Sequence, residues 1–428
     1  MWKRKWLASL GMSAVLIGSV LSGCSSSDNT SGGNSGGNSD QGSGSKQEPV
    51  KITLTGWQSN PTEQKRLKQV VASFEEKYPN IDVEIKAIAE QYMSVLKTRL
   101  VGGKAGDVFY LDAFVAPSLI KKGVLQPLDQ YVTEDFDIDD FQDPLLNAFK
   151  FDGKIYGFPK DYSTLALFYN KKMFEKAGIK EPPKTFKELR ADAKKLTHGK
   201  VYGLGVAPQL ARLYNIAQAK GGQVVKNNKA NFASPKVVEA LKPIIEMHLK
   251  DKTAVVPSEV GTKNTGAAFG QGKVAMVLEG PWNIPYFKEA FPDLKYGIAE
   301  PPKFYGKKTT MAFTVAYVMN KASDHKKASW KLISYLTGKK GMKQWTKGGI
   351  ALPTRKSVAK ELGYADSKLR APFVKSASYA TVWQAGVNLP IINTNFNNMF
   401  TSAFLGEQPL AQAMKKGQKQ ANEAIANK

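Results

Sequence analysis

The stretch that decides the fold runs from Lys51 to Tyr78: KITLTGW (51–57), a short polar loop, then QKRLKQVVASFEEKY (64–78). In the first piece Ile52, Thr53, Leu54 and Thr55 form a compact β-branched and apolar run, the pattern of a strand. In the second, Leu67, Val70, Val71, Phe74 and Tyr78 recur at intervals of three and four, which puts them on one helical stripe. Ile81, Val83 and Ile85 then alternate as a second strand. A helix is expected through Tyr92, Leu96 and Leu100, and Asp107–Leu111 reads as a third short strand. Strands and helices taking turns are βαβ units, which pair their strands in parallel. Helix punctuation continues downstream, with Thr185 and Glu188 as a capping-box pair and Ser234-Pro235 as an N-cap followed by a first-position proline. With 428 residues the chain exceeds what one hydrophobic core usually spans. The fold class expected is α/β in two lobes, each a mostly parallel sheet flanked by helices.

Upstream of this region the sequence changes character. Lys3-Arg4-Lys5 precedes an apolar run from Trp6 to Leu21, broken by Gly11, Gly18 and Ser19. That run falls short of the roughly 20 apolar residues a membrane-crossing helix needs, and its layout is that of an export signal. Leu21-Ser22-Gly23-Cys24 resembles a bacterial lipobox, so residues 1–23 are expected to be removed as a signal peptide and Cys24 to carry diacylglyceryl and palmitate. The alternative is an incidental thiol beside an ordinary cleavage site. Cys24 is the chain's one cysteine, which excludes an internal disulfide. From Ser25 to Ser45 only Ser, Gly, Asn, Asp, Thr and Gln occur. Residues 24–49 are therefore expected to be a lipid-anchored linker, whose Ser25–Ser45 stretch has a reach of roughly 25 Å.

The formal charge is +24, and lysine dominates it, since the chain has only seven arginines. Bidentate reading of phosphates favours arginine, so this composition points to a general electrostatic coat that attracts an anionic cell wall or lipid headgroups, and no nucleic-acid partner is expected. No catalytic signature accompanies the histidines: His198, His248 and His325 lie in polar or helical surroundings with no Gly-x-Ser-x-Gly segment, and there is no His-Glu-x-x-His. No metal and no cofactor are expected. Two carboxylates suffice for glycoside cleavage, and a pair such as Asp161 with Glu279 keeps that alternative open.

Several segments carry a resemblance. Gly56-Trp57-Gln58-Ser59 with Glu63, Phe74-Glu75-Glu76-Lys77-Tyr78-Pro79-Asn80, Gly106–Asp112, Gly153–Pro159 through Phe168-Tyr169-Asn170-Lys171, and Ala275–Trp282 occur in this order. Together they resemble the extracellular solute-binding proteins of bacterial ABC importers that bind carbohydrate, the group that includes maltose-binding protein. The wording is most similar to the members that bind α-glucosidic disaccharides. The resemblance implies a Venus-flytrap of two lobes, each made of discontinuous segments: 50–160 with 312–355, and 161–311 with 356–428. Crossovers would fall near Pro159–Tyr162 and Thr309–Thr314. It also implies a monomer that captures a di- or oligosaccharide and delivers it to the transmembrane subunits of an ABC permease, without chemistry. Held by its N-terminal lipid, such a protein is expected on the extracellular face of the cell membrane, a Gram-positive surface suiting its basic body. A receptor of the same fold for a peptide, a polyamine or an acidic oligosaccharide is the alternative.

A pyranose presents apolar C–H faces and a rim of hydroxyls, so its site needs flat aromatic rings and hydrogen-bonding side chains in a desolvated cleft. Trp57 ends a strand and Glu63 opens the next helix, though a core tryptophan and a helix-dipole carboxylate fit the same positions. Asp112 stands past an apolar strand, where open α/β sheets hold ligands. The resemblance adds Trp282 as the stacking ring, Asp161 and Tyr162 at the crossover, Gln209 and Arg212 before Gly221-Gly222, and Trp383 with Asn395 from the Asn393, Asn395, Asn397 series. A member of the family presents a tryptophan near Asn393, and this chain departs from it there.

Overall fold

The computed structural model describes residues 49–57 and 61–428, with only the backbone of Thr62. The export signal, Cys24, the linker to Ser45 and the Gln58-Ser59 pair lie outside the described residues. The body forms one compact unit with two large sheets, of six and five strands, and two small two-stranded ones among the described residues.

The chain begins with β1 (Val50–Trp57), which pairs in parallel with β2 (Ile81–Ile88) and β3 (Val108–Asp112). Helix α1 (Pro61–Lys77) starts earlier than its apolar stripe, because Pro61 suits the first helical position. Leu67, Val70, Val71 and Phe74 are all buried. Each contributes about 1.5–3 kcal/mol relative to exposure. Helix α2 (Tyr92–Val101) follows as expected. Strand β3 is central, so its alternate side chains enter different cores: Val108 and Tyr110 one, Phe109 and Leu111 the other.

Strand β4 (Gly157–Thr164) leaves the first sheet and leads directly into the second. The second sheet takes β5 (Ala166–Asn170), β6 (Tyr202–Gly205), β7 (Ala254–Val255), β8 (Val274–Glu279) and β9 (Tyr296–Ala299) in the order β7-β6-β8-β5-β9. Between them run α3 (Leu210–Ala219) and, after β8, α4 (Asn283–Ala290). Strand β10 (Thr310–Met319) then returns to the first sheet, antiparallel to both β3 and β4. After α5 (Lys339–Thr346), strand β11 (Ala380–Val382) joins β10 in parallel, before α6 (Leu389–Phe404) and α7 (Leu410–Ala426) close the chain.

Both sheets are mixed. The βαβ ladders are parallel, but β4, β5, β9 and β10 make antiparallel ladders, because strands flanking the two crossings return against the direction of their neighbours. The expected crossover at Pro159–Tyr162 lies inside β4, and the one at Thr309–Thr314 overlaps the start of β10. Within the segment expected wholly in the second lobe, 356–428, β11 belongs to the first sheet. Thr185 caps its helix, accepting from the Glu188 amide at 3.2 Å, while Ser234 precedes its helix without a side-chain cap bond.

Candidate functional site

The two sheets face each other across a cleft of about 830 Å³, within the range of small-ligand sites. Its first-lobe wall is built on strand ends. Trp57, the last residue of β1, is held edge-on by Tyr92 and Tyr110, with ring centroids 5.1 and 5.2 Å away. Glu63 sits in the first turn of α1, buried, where the helix dipole favours a carboxylate. Asp112 ends β3 and accepts the Phe114 amide at 3.2 Å. Burial pushes its carboxyl up to about 7 against that hydrogen bond, and the nearby Asp161 charge pushes it the same way.

Asp161 owes its position to an irregularity. Along β10, Val315 faces Asp161 and Ala316 faces Pro159, so Lys160 is the extra residue of a β-bulge. The bulge lets Lys160 and Asp161 both line the cleft. Lys160 Nζ lies 2.5 Å from the Asp161 carboxylate, which also accepts the Trp345 indole N–H at 2.6 Å. The ammonium rests 4.0 Å from the Trp345 ring centroid and 4.8 Å from that of Tyr110.

On the second-lobe side Trp282 precedes α4 and lines the cleft. Its ring folds back over Gly280, where a Cβ would meet ring atoms at 2.1 Å, so this close approach requires glycine. Arg212 lies with its guanidinium carbon 5.3 Å from the Trp282 ring and 5.6 Å from Phe313. One of its nitrogens is 3.4 Å from Glu279, which also accepts Thr265 Oγ1 and the Gly280 amide. Gln209 is the exposed residue before α3, and it leaves the capping of that helix to Asn397, whose side-chain oxygen accepts the Leu210 amide at 2.7 Å.

Trp57, Glu63, Asp112, Asp161, Gln209, Arg212, Trp282 and Trp383 thus share one cleft. Trp383 is only 3% exposed and stacks on Phe114 with centroids 6.0 Å apart, so it is a floor element more than an open platform. Two expected residues do not line the cleft. Tyr162 follows Asp161 on β4, so its side chain takes the opposite face, into the core with Phe168, Leu352 and Phe373. Asn395 donates to the Ile391 carbonyl and its backbone oxygen lies against Gly417 of α7. On a helix the residues one turn apart share a face, so Asn393 and Asn397 line the cleft in its place. Lys160, Phe313, Trp345 and Asn283 had no sequence signal: a bulge, a returning strand, a distant helix and the start of α4 bring them in. Cys24 lies outside the described residues. Among those residues no group of three His, Cys, Asp or Glu side chains gathers to hold a metal.

Comparison with known proteins gives a consistent picture. A galactooligosaccharide-binding protein of Bacillus subtilis is 25% identical over 76% of this chain and 78% of its own length. A putative binding protein of Brucella abortus is 28% identical over 79% and 85%. Among solved structures, an ABC substrate-binding protein from Listeria monocytogenes in complex with cycloalternan superposes with a TM-score of 0.82 at 27% identity, covering 89% of this chain and all of that one. A solute-binding protein from Thermotoga lettingae bound with α-D-tagatose has a TM-score of 0.79 at 27% identity, covering 87% and 99%. The model of the bacterial extracellular solute-binding proteins matches residues 69–372, and the chain belongs to that family.

Proposed function

We propose that this protein captures a di- or oligosaccharide between its lobes and delivers it to an ABC permease. The observation that carries the reading is the chemistry of the cleft: the indole rings of Trp57 and Trp282 stand among carboxylates, amides and a guanidinium. Aromatic rings suit the apolar faces of a pyranose, and the charged and amide groups suit its hydroxyl rim. Relatives of sugar-binding name and sugar-bound structures support the same class. An α-glucoside remains one member of that class.

The lobes are proposed as 50–160 with 312–355 and 161–311 with 356–428, closing about β4 and β10 as a hinged pair. Residues 1–23 are proposed as a lipoprotein signal and Cys24 as the lipid site, tethering a monomer to the outer face of the cell membrane. The ligand leaves unaltered. Asp112, raised to about 7 beside Asp161, is the feature that favours sugar cleavage instead, since a glycosidase needs one protonated and one ionised carboxyl. The test is a thermal-shift screen against neutral oligosaccharides, peptides and polyamines, with chromatography of each mixture afterwards. A saturable rise with an intact sugar supports the reading. A rise only with peptides or polyamines, or a cleaved sugar, sinks it.

A further inference from the structure

Resting on the sugar-binding reading, we propose that the cleft selects its ligand by charge, taking neutral or amine-bearing oligosaccharides and rejecting those with carboxylates. This runs against the sign of the whole protein. The chain has 61 Lys and Arg against 37 Asp and Glu. Among the described residues, the charged ones lining the cleft are the carboxylates of Glu63, Asp112, Asp161 and Glu279 and the cations of Lys160 and Arg212. Gln58, Ser59 and Asn60, which follow Trp57 in the sequence, carry no charge.

Both cations already face a carboxylate, Lys160 on Asp161 at 2.5 Å and Arg212 on Glu279 at 3.4 Å. With every group ionised, the carboxylates outnumber the cations, and the excess is negative. Burial has already made a charge on Asp112 unfavourable, and a ligand carboxylate would add to that penalty. The surface lysines attract anions from solution, but their field is screened over about 8 Å at physiological ionic strength, whereas the cleft wall acts at contact range.

A second observation indicates what the cleft accepts. Asn283 is 4% exposed and lines the cleft, and its side-chain nitrogen has no hydrogen-bond partner; the same holds for Nη1 of the cleft-lining Arg212. A buried donor left unmade is costly, so a ligand that supplies lone pairs is favoured at these two positions. Hydroxyl, ring and glycosidic oxygens provide them without net charge. The Arg212 charge is already met by Glu279, so this corner offers hydrogen bonds without an excess of positive charge for a uronate.

The experiment is a calorimetric titration of the full chain, kept in mild detergent, with maltotriose, mannotriose and galactotriose. Each is compared with derivatives carrying a carboxylate or an amine at C6. For any trisaccharide that binds, the carboxylate form should bind at least about tenfold more weakly and the amine form no more weakly than the carboxylate form. Asp112→Asn, and independently Glu63→Gln, should each narrow the gap between parent and carboxylate. Parent binding with equal or tighter carboxylate binding overturns charge selection and leaves the sugar reading standing, as does a gap that neither variant narrows. If no parent sugar and no derivative binds, the sugar reading falls and the charge proposal falls with it.

Discussion

Removing one partner of the Lys160–Asp161 pair should cost far more than removing both. The two side chains are 3% and 10% exposed, and they meet on a bulge between the lobes. In Lys160→Met the Asp161 carboxylate keeps the Trp345 N–H but loses its counter-charge. Breaking a buried pair in this way costs about 3–5 kcal/mol. In Asp161→Asn the ammonium stays over the Trp345 and Tyr110 rings, and the cation–π attraction of about 0.5–2 kcal/mol offsets only part of a similar cost. The double variant has no charge left to desolvate, and an amide oxygen can still accept from Trp345, so its loss should be about 1–2 kcal/mol. Urea unfolding followed by far-UV circular dichroism provides the four stabilities of the cycle. A coupling of about 3 kcal/mol or more is expected. Additive losses would refute the account, because they would mean the pair is already solvated.

Other perturbations have distinct expected outcomes. Trp282→Ala should raise the sugar Kd about thirtyfold if the ring covers about 80 Å² of a sugar face at 25 cal/mol/Å², with the melting temperature little changed; calorimetry reads the first and scanning calorimetry the second. Asn395→Ala and Tyr162→Phe should leave sugar affinity unaltered, since neither residue lines the cleft, whereas Asn393→Ala should weaken it in the same titration. Asp112 has a folded pKa of about 7 against an ordinary 3.8, so between those values the folded state holds more protons than the unfolded one. Its contribution to stability therefore falls as pH rises from about 4 to about 7 and levels off above, and Asp112→Asn should remove that slope from the melting temperature measured across this range. Arg355 is 1% exposed and its guanidinium serves the Phe136, Asp137 and Thr337 carbonyls, so Arg355→Met should lower stability by about 3 kcal/mol or more in urea unfolding.

What the sequence made readable was whatever obeys a local period. The apolar stripe of α1 and the alternation of β2 gave the βαβ order, and Trp57 and Asp112 could be picked out because each lies at the end of a strand, where a ligand has access, whereas Trp282 was singled out through the resemblance. What was not readable depends on departures from period or on distant partners. The Asn393, Asn395, Asn397 series repeats every second residue, but the chain there is helical, so the members one turn apart share a face and the middle one turns to α7. Lys160 reaches the cleft only through a bulge, which no spacing announces. Trp345 belongs to α5, far along the chain, and its role appears only when its indole meets Asp161. The antiparallel strands follow from the chain crossing between lobes, and β11 from a crossing back that carries only a short strand.

The most direct test of the central claim is a titration of the protein with neutral di- and trisaccharides, followed by recovery of the sugar. A disaccharide of about 23 heavy atoms at roughly −0.3 kcal/mol per atom should bind with a Kd around ten micromolar. One saturable site of about that affinity, weakened in Trp282→Ala and returning the sugar intact, is the result the account predicts. Absence of binding to every sugar, binding that ignores Trp282, or recovery of cleaved sugar would contradict it.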